Sequence, residues 1–364
     1  MAVGVFALMS KKANAKEKRP ARETNQNVLH KAMLRRLPRR LGATGVFVLP
    51  PVPSLLEHFT ERLRELFAGF GRVFNEADTE HLRGILKTQL ERAYAASPYS
   101  RVVVRYATEA PPATAMNYDV QIELSSVADE YALWVKTRTP PYFGVNPDAK
   151  ILECAHALGP PAEVPVLDVG AGTGRNTLPL ARAGFPTDAV ELSPALASVL
   201  RADVEKEQLS VRVFEGSALG ELGVPSRHYR LLFMAEVIAS HIRTVEEIRL
   251  LVEGAARSLA TGGLLLFNAF IAKDGYRPDA VSRELSQALW CNLFTKADLA
   301  AAFEGQPFEL VSDESTHDFE HEHQPAEGWP PTGWFVGWAT GLDLFDLPSG
   351  RAPIDLRWLV YRRR

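Results

Sequence analysis

VPVLDVGAGTGRNTLPLAR, residues Val164 to Arg182, is the stretch from which the rest of the chain can be placed. Val164, Val166, Leu167 and Val169 form a short apolar run, interrupted by Pro165, of the kind that makes a buried parallel strand. Gly170, Gly172 and Gly174 follow at once, and Leu178, Leu180 and Ala181 lie at helical spacing behind them. Thr173 or Asn176 is placed to cap that helix. Glycine suits such a turn because a Cβ disfavours its backbone angles and because a ligand can then approach the backbone closely. A helix N-terminus behind the turn offers free N–H groups and partial positive charge.

The next predicted strand, Thr187 to Val190, runs into Glu191, 21 positions after Gly170. An acidic residue at that distance, at a strand tip, can hold two ribose hydroxyls. A dinucleotide site would favour a small residue three positions after Gly172, and this chain has Arg175. From Val211 the chain goes on alternating: strands over Val211–Phe214, Leu231–Met234 and Leu264–Phe270, and helices opened by Ser193-Pro194 and Thr244. The glycine turn, Glu191 and this alternation together resemble a class I S-adenosylmethionine-dependent methyltransferase. The wording from Gly172 to Thr177 and Ala183-Gly184-Phe185 is similar to the tellurite-resistance and thiopurine-type branch.

The resemblance implies an α/β fold: a doubly wound, seven-stranded Rossmann-like sheet, here with an N-terminal α+β accessory region. It implies S-adenosylmethionine as cofactor, held by Asp168, Gly170, Ala171, Gly172, Gly174, Asn176, Glu191, Leu192, Ser217, Ala218 and Ala235. Asp168 is expected at the cofactor's amino group and Glu191 on the ribose. The family usually has an acidic residue near Ser217, so Ser217 is a departure at the adenine contact. The segment before the first strand often closes over the cofactor in this family, which makes Tyr131, Trp134, Tyr142 and Phe143 lid candidates. Substrate contacts belong at the end of the fourth strand, which reads MAEVIASH from Met234 to His241. Glu236 and His241 are the candidate catalytic residues there. An Asn-Pro-Pro-Tyr motif is absent, which disfavours adenine or glutamine N-methylation.

Outside this domain the signals are coarser. Residues 1–45 read as a flexible basic arm; residues 11–40 hold eleven Lys/Arg against two Glu, so the rest of a chain with net charge −3 is acidic. Such an arm could touch nucleic acid, or be a solvated tail, and a transit peptide shares its composition. Residues 46–126 read as the accessory region. Two amphipathic helices, Leu55–Phe70 and Asp78–Ala96, precede strands around Val102–Tyr106 and Tyr118–Leu124, joined across Pro111-Pro112. Residues 127–364 read as the methyltransferase domain, with a lid segment 127–145 and an insertion 316–353. Trp329, Trp334 and Trp338 of that insertion are expected to roof the cofactor cleft together with the lid. HDFEHEH, residues 317–323, is read as a solvated polar loop rather than a metal site, so no metal is expected.

Cys154 and Cys291 show no ligand or redox spacing, which suits free thiols in a reducing, cytoplasmic setting. No apolar run is long enough for a membrane span. The expected acceptor is a small molecule. RNA or protein methylation through the basic arm, and a non-catalytic cofactor-binding module, are the competing functions. Oligomeric state is not readable from the sequence.

Overall fold

The computed structural model describes residues 21–109, 115–220, 222–348 and 350–364. The first part of the basic arm and the Pro111-Pro112 connection lie outside the described residues. Within residues 21–45 the chain is more ordered than expected. Gln26–Leu34 is a helix capped by the Asn25 side chain, though none of its residues is buried. The following turn rests on the body: a Cβ at Gly71, whose φ is +71°, would come within 2.7 Å of the Arg39 backbone nitrogen.

Three strands build the N-terminal unit: β1 (Thr44–Leu49), β2 (Arg101–Thr108) and β3 (Met116–Glu123). They pair antiparallel in the order β1-β2-β3. β1 is an addition to the sequence reading. Val46 and Val48 leave one of its faces in solvent, and Pro50-Pro51 makes the segment look like a linker. The helices Leu56–Gly69 and Glu76–Ala96 cover the other face with Phe59, Leu63, Phe67, Leu82, Leu86 and Leu90, packed on Val102, Val104 and Val120.

The second sheet contains β4 (Val166–Val169), β5 (Thr187–Glu191), β6 (Val211–Glu215), β7 (Tyr229–Met234), β8 (Leu259–Ala272), β9 (Leu293–Phe294), β10 (Phe308–Ser315) and β11 (Ile354–Arg363). Its path is β10-β11-β8-β7-β4-β5-β6, with the two-residue β9 beside β8. β4 to β8 are parallel, and β11 runs antiparallel to both of its neighbours. This is the seven-stranded, doubly wound Rossmann-like sheet of methyltransferases. Asp355, Arg357 and Arg362 give β11 the composition of an edge strand, but β11 is interior and β10 is the edge. Ile354, Leu356, Trp358 and Val360 are buried, and Arg357 reaches across to Asp313 on β10. The strand order reverses at β4, and at such a point a parallel sheet opens a crevice beyond its strand ends.

HDFEHEH is also corrected, because Thr316–His323 is a helix. Its Glu320 is buried and turned inward, accepting from the Ala149 and Lys150 backbone N–H groups and from Trp358 Nε1 at 2.7, 3.2 and 3.0 Å. The carboxylate therefore caps the helix Ala149–Ala157 from 171 positions away. Burial is the main force raising its pKa, helped by Asp148. The insertion's other helix, Phe335–Ala339, packs Phe335 and Trp338 around Phe270 and Leu356. Removing the cap leaves buried donors unpaired, so Glu320→Ala should lower unfolding free energy by about 3 kcal/mol. Urea denaturation checks this, and a change under about 0.5 kcal/mol would show that the cap is dispensable.

Candidate active site

The cleft lies over the C-terminal ends of β4, β5 and β7. It is lined by Val127, Tyr131 and Phe143 from the lid segment, Asp168, Gly170 to Gly172, Arg175 and Asn176 from the glycine turn, and Val190 to Leu192. Leu196, Gly216 to Leu219, and Ala235 to Val237 with His241 and Ile242 complete it. The turn forms as its glycines require: Gly170 and Gly172 have φ of +82° and +57°. A Cβ on Gly172 would come 3.2 Å from the Phe143 ring, which lies over the turn. Gly174 has a different task. A Cβ there would press on Leu200 and Leu178, so this glycine serves helix-to-strand packing behind the cleft.

Five charged groups and an amide organise the floor. Arg175 is buried and spans two carboxylates, Asp148 at 2.5 Å and Glu236 at 2.7 Å. Burial works against its charge, but Asp148 and Glu236 outweigh that and hold its pKa above the ordinary arginine value. Asn176 does not cap the following helix. Its amide donates to Asp148 Oδ2 and its carbonyl accepts from the Asp148 N–H. Thr173 supplies no side-chain cap either. Glu236 has a left-handed backbone, φ +64°, and opens the short helix Val237–His241. Burial pushes its pKa up to about 7 against the pull of Arg175. Asp168 is likewise buried and raised to about 7, although Thr177 donates to it at 2.6 Å. Glu191 accepts from the Gly172 and Ser193 N–H groups at 2.7 Å each, and burial still raises its pKa.

His241 sits where the cleft meets an aromatic cluster. Its Nδ1 is 2.9 Å from Tyr99 Oη and its Nε2 2.9 Å from Tyr131 Oη. Trp290 packs against His241, Tyr131 and Tyr99 and stacks on Trp134 at 5.6 Å between ring centroids. Burial lowers the His241 pKa to about 4, so the ring is neutral at physiological pH.

Of the lid candidates, Tyr131 and Phe143 reach the cleft. Trp134 lies behind them between Phe143 and Trp290, and Tyr142 is buried beside Phe143, away from the lining. Trp334 is corrected outright. It stands beside Phe335 and Trp338 in the insertion's own cluster, and the insertion does not roof the cleft. Trp338 instead anchors the loop carrying Trp290 through its Nε1, which donates to the Trp290 carbonyl at 2.8 Å. Two residues beside the site, Tyr99 and Trp290, escaped the sequence reading. Tyr99 is remote from any motif, and the one local signal at Trp290 is a positive φ that sequence does not display.

Among the comparisons with known proteins, residues 166–263 match the family model described as a methyltransferase domain. This segment is similar to a methyltransferase domain. S-adenosylmethionine is the cofactor that this resemblance implies. Two curated relatives, demethylmenaquinone methyltransferases of Tropheryma whipplei strains Twist and TW08/27, are each 32% identical over 114 residues. That alignment covers 31% of this chain and 44% of each relative, so the chain spans under half the relatives' length. The methyltransferase domain also resembles solved structures. A geranyl diphosphate C-methyltransferase from Streptomyces coelicolor A3(2) has a TM-score of 0.49 at 12% identity, covering 66% of this chain and 99% of that one. A Haemonchus contortus phosphoethanolamine N-methyltransferase 2 has 0.47 at 16%, covering 72% and 69%. These matches stay at the level of the methyltransferase class and do not single out the tellurite-resistance or thiopurine-type branch.

The residues present fit the cofactor. Three carboxylates, Asp168, Glu191 and Glu236, line the cleft against one guanidinium, Arg175, already held by two acids. Such a lining attracts a ligand carrying sulfonium and ammonium charges and repels a pyrophosphate. Among the described residues no His, Cys, Asp or Glu cluster is fit to hold a metal. No helix among them is long and apolar enough to cross a membrane.

Taking Arg175 away would leave Asp148 and Glu236 buried without their cation. Arg175→Met should therefore cost about 3–5 kcal/mol of stability in chemical denaturation. Arg175→Lys should also destabilise, since one ammonium cannot fork to both acids. Equal stability of Arg175→Met and the wild type would contradict the role given to this network.

Proposed function

We propose that the protein is an S-adenosylmethionine-dependent methyltransferase acting on a small-molecule acceptor. The observation that carries this reading is the joined cleft. An anionic cofactor end at Asp168 and Glu191 runs into an aromatic, partly enclosed end at Tyr131, Phe143 and His241. Ligand sites for small molecules have this concave, largely apolar form with few polar groups.

In this reading the turn Gly170-Ala171-Gly172 and Asp168 hold the amino-acid end of the cofactor. Glu191 takes the ribose, and Leu192, Ser217, Ala218 and Ala235 surround the base and the centre. Gly174 and Asn176 act from behind, by packing and by fixing Asp148. S-adenosylmethionine, when bound, supplies an activated methyl group that a nucleophile takes by in-line displacement. The chain's part is mainly positioning. Tyr131 and Phe143 exclude water, while Glu236, held by Arg175, and His241 orient the acceptor and handle its proton. The partly matched relatives are named for demethylmenaquinone, a small molecule, which supports this acceptor class. The competing polymer reading rests on the basic arm and the accessory region, and none of the described residues before Val127 lines the cleft.

S-adenosylhomocysteine titrated into the protein by calorimetry tests the reading, and its pH dependence tests the assignment of Asp168. The ligand's ammonium prefers an ionised Asp168, whose pKa is about 7 in the ligand-free cleft. Below that pH, binding must first remove a proton. Affinity should therefore rise between pH 5.5 and 7.5, by up to about tenfold per unit on the acid side. Asp168→Asn should bind more weakly at pH 7.5 and show a flatter profile. Absence of binding at every pH would refute the cofactor site, and an unchanged profile in Asp168→Asn would remove Asp168 from it.

A further inference from the structure

His241 has a partner on each ring nitrogen, and one proton count settles what it can do. Tyr99 Oη carries a single hydrogen. It lies 2.9 Å from the Ser240 carbonyl oxygen, which can only accept. With its hydrogen spent there, Tyr99 can only accept from His241, so Nδ1 bears the imidazole hydrogen. Nε2 is then bare and accepts the hydrogen of Tyr131. Tyr131 lines the cleft and, among the described residues, its hydroxyl has no other partner. Its oxygen lone pairs are therefore free to receive a hydrogen from whatever occupies the acceptor end.

We propose that Tyr131 and His241 are a two-member proton acceptor for the transfer reaction, and that Tyr99, from the N-terminal unit, is the positioning residue that sets its tautomer. The proposal rests on the methyltransferase reading above and adds the class of acceptor: a nucleophile that must shed a proton, such as a hydroxyl, a phenol or an enol. The acceptor's X–H bond breaks and its hydrogen joins Tyr131 Oη. The original Tyr131 hydrogen passes to His241 Nε2, and the X–H electron pair stays on the acceptor atom, which takes the methyl group. The total charge of the cleft is unchanged, because an imidazolium appears as the donor's positive sulfur becomes neutral. That balance makes a buried imidazolium tolerable during transfer and unfavourable before it, in keeping with a resting ring that stays neutral.

The groups facing this unit are few. Tyr99 and Tyr131 contact the ring directly, Glu191 and Glu236 act on Tyr131, and Arg243, Glu130 and Glu247 act on Tyr99. Trp290 closes one side of the unit, its ring centroid 5.2 Å from that of His241. Tyr131 itself stays protonated, its pKa raised first by burial and then by Tyr99, Glu191 and Glu236.

Long-range ¹H–¹⁵N correlation on the full-length, ¹⁵N-histidine-labelled protein reads the tautomer without an acceptor. His241 is assigned by loss of its signals in His241→Gln, and spectra are taken with and without S-adenosylhomocysteine. The expected result is a single Nδ1–H tautomer that does not titrate between pH 5.5 and 8.5. Tyr99→Phe should populate the Nε2–H form to half or more, with S-adenosylhomocysteine affinity within about threefold of wild type. Tyr131→Phe should keep the Nδ1–H tautomer and move the Nε2 resonance toward an unbonded nitrogen. A wild-type Nε2–H tautomer, an imidazolium at pH 7, or unaltered spectra in either Tyr variant would overturn the proposal. Failure of wild type to bind S-adenosylhomocysteine would instead strike the methyltransferase reading, and the tautomer would still be readable.

Discussion

A buried guanidinium between two buried acids fixes the geometry on which the site depends. Arg175 leaves the glycine turn and ties Asp148, ahead of the first parallel strand of the main sheet, to Glu236, at the end of the fourth. Those segments are far apart in sequence, and the turn is the element that must be held still for a ligand to meet its amides. An ion pair taken out of water is a poor source of net stability, because desolvation offsets much of the attraction. Its value here is specificity of arrangement. Charge, Asn176 amide bonds and the left-handed Glu236 backbone agree on one placement of the turn against β7.

The same segment of β7 and its following helix receives two outlying parts of the chain. The N-terminal unit reaches it through Tyr99, and it docks on the helix Ala280–Ala288 through Tyr94, whose hydroxyl meets Gln287 at 2.8 Å. Arg243 closes that contact by donating both to Gln287 and to the Tyr94 carbonyl. From the other side, the insertion's Trp338 fixes the loop of Trp290, which packs on His241. The N-terminal unit and the insertion thus pack behind the cleft through Tyr99 and Trp290. Among the described residues, Val127, Tyr131 and Phe143 of the lid segment line the cleft.

The central sheet was legible because its signals are local. Apolar runs followed by glycines, then Glu191 at the next strand tip, leave little freedom in the parallel core. The meeting of the glycine turn and Glu191 at one cleft was legible for the same reason. What sequence could not show are contacts made at long range by residues of ordinary type. Glu320 looks like one more acid in a polar run, yet it caps a helix that begins at Ala149. Tyr99 is a lone tyrosine after a helix end, yet its hydroxyl meets His241 in another part of the chain. Trp334 and Trp338 were misplaced because aromatic content marks burial without saying against what. β1 was overlooked because an edge strand with two solvent-facing valines between a glycine and two prolines has the composition of a linker.

The claim on which everything functional turns is that this cleft holds S-adenosylmethionine with its ribose on Glu191. A crystal structure of the complex with S-adenosylhomocysteine tests it most directly. The account predicts ribose hydroxyls within hydrogen-bond distance of the Glu191 carboxylate, the amino-acid end over Gly170 to Gly172 near Asp168, and the sulfur turned toward Tyr131 and His241. A ligand bound elsewhere, or a ribose that does not touch Glu191 in a fully occupied cleft, would contradict it.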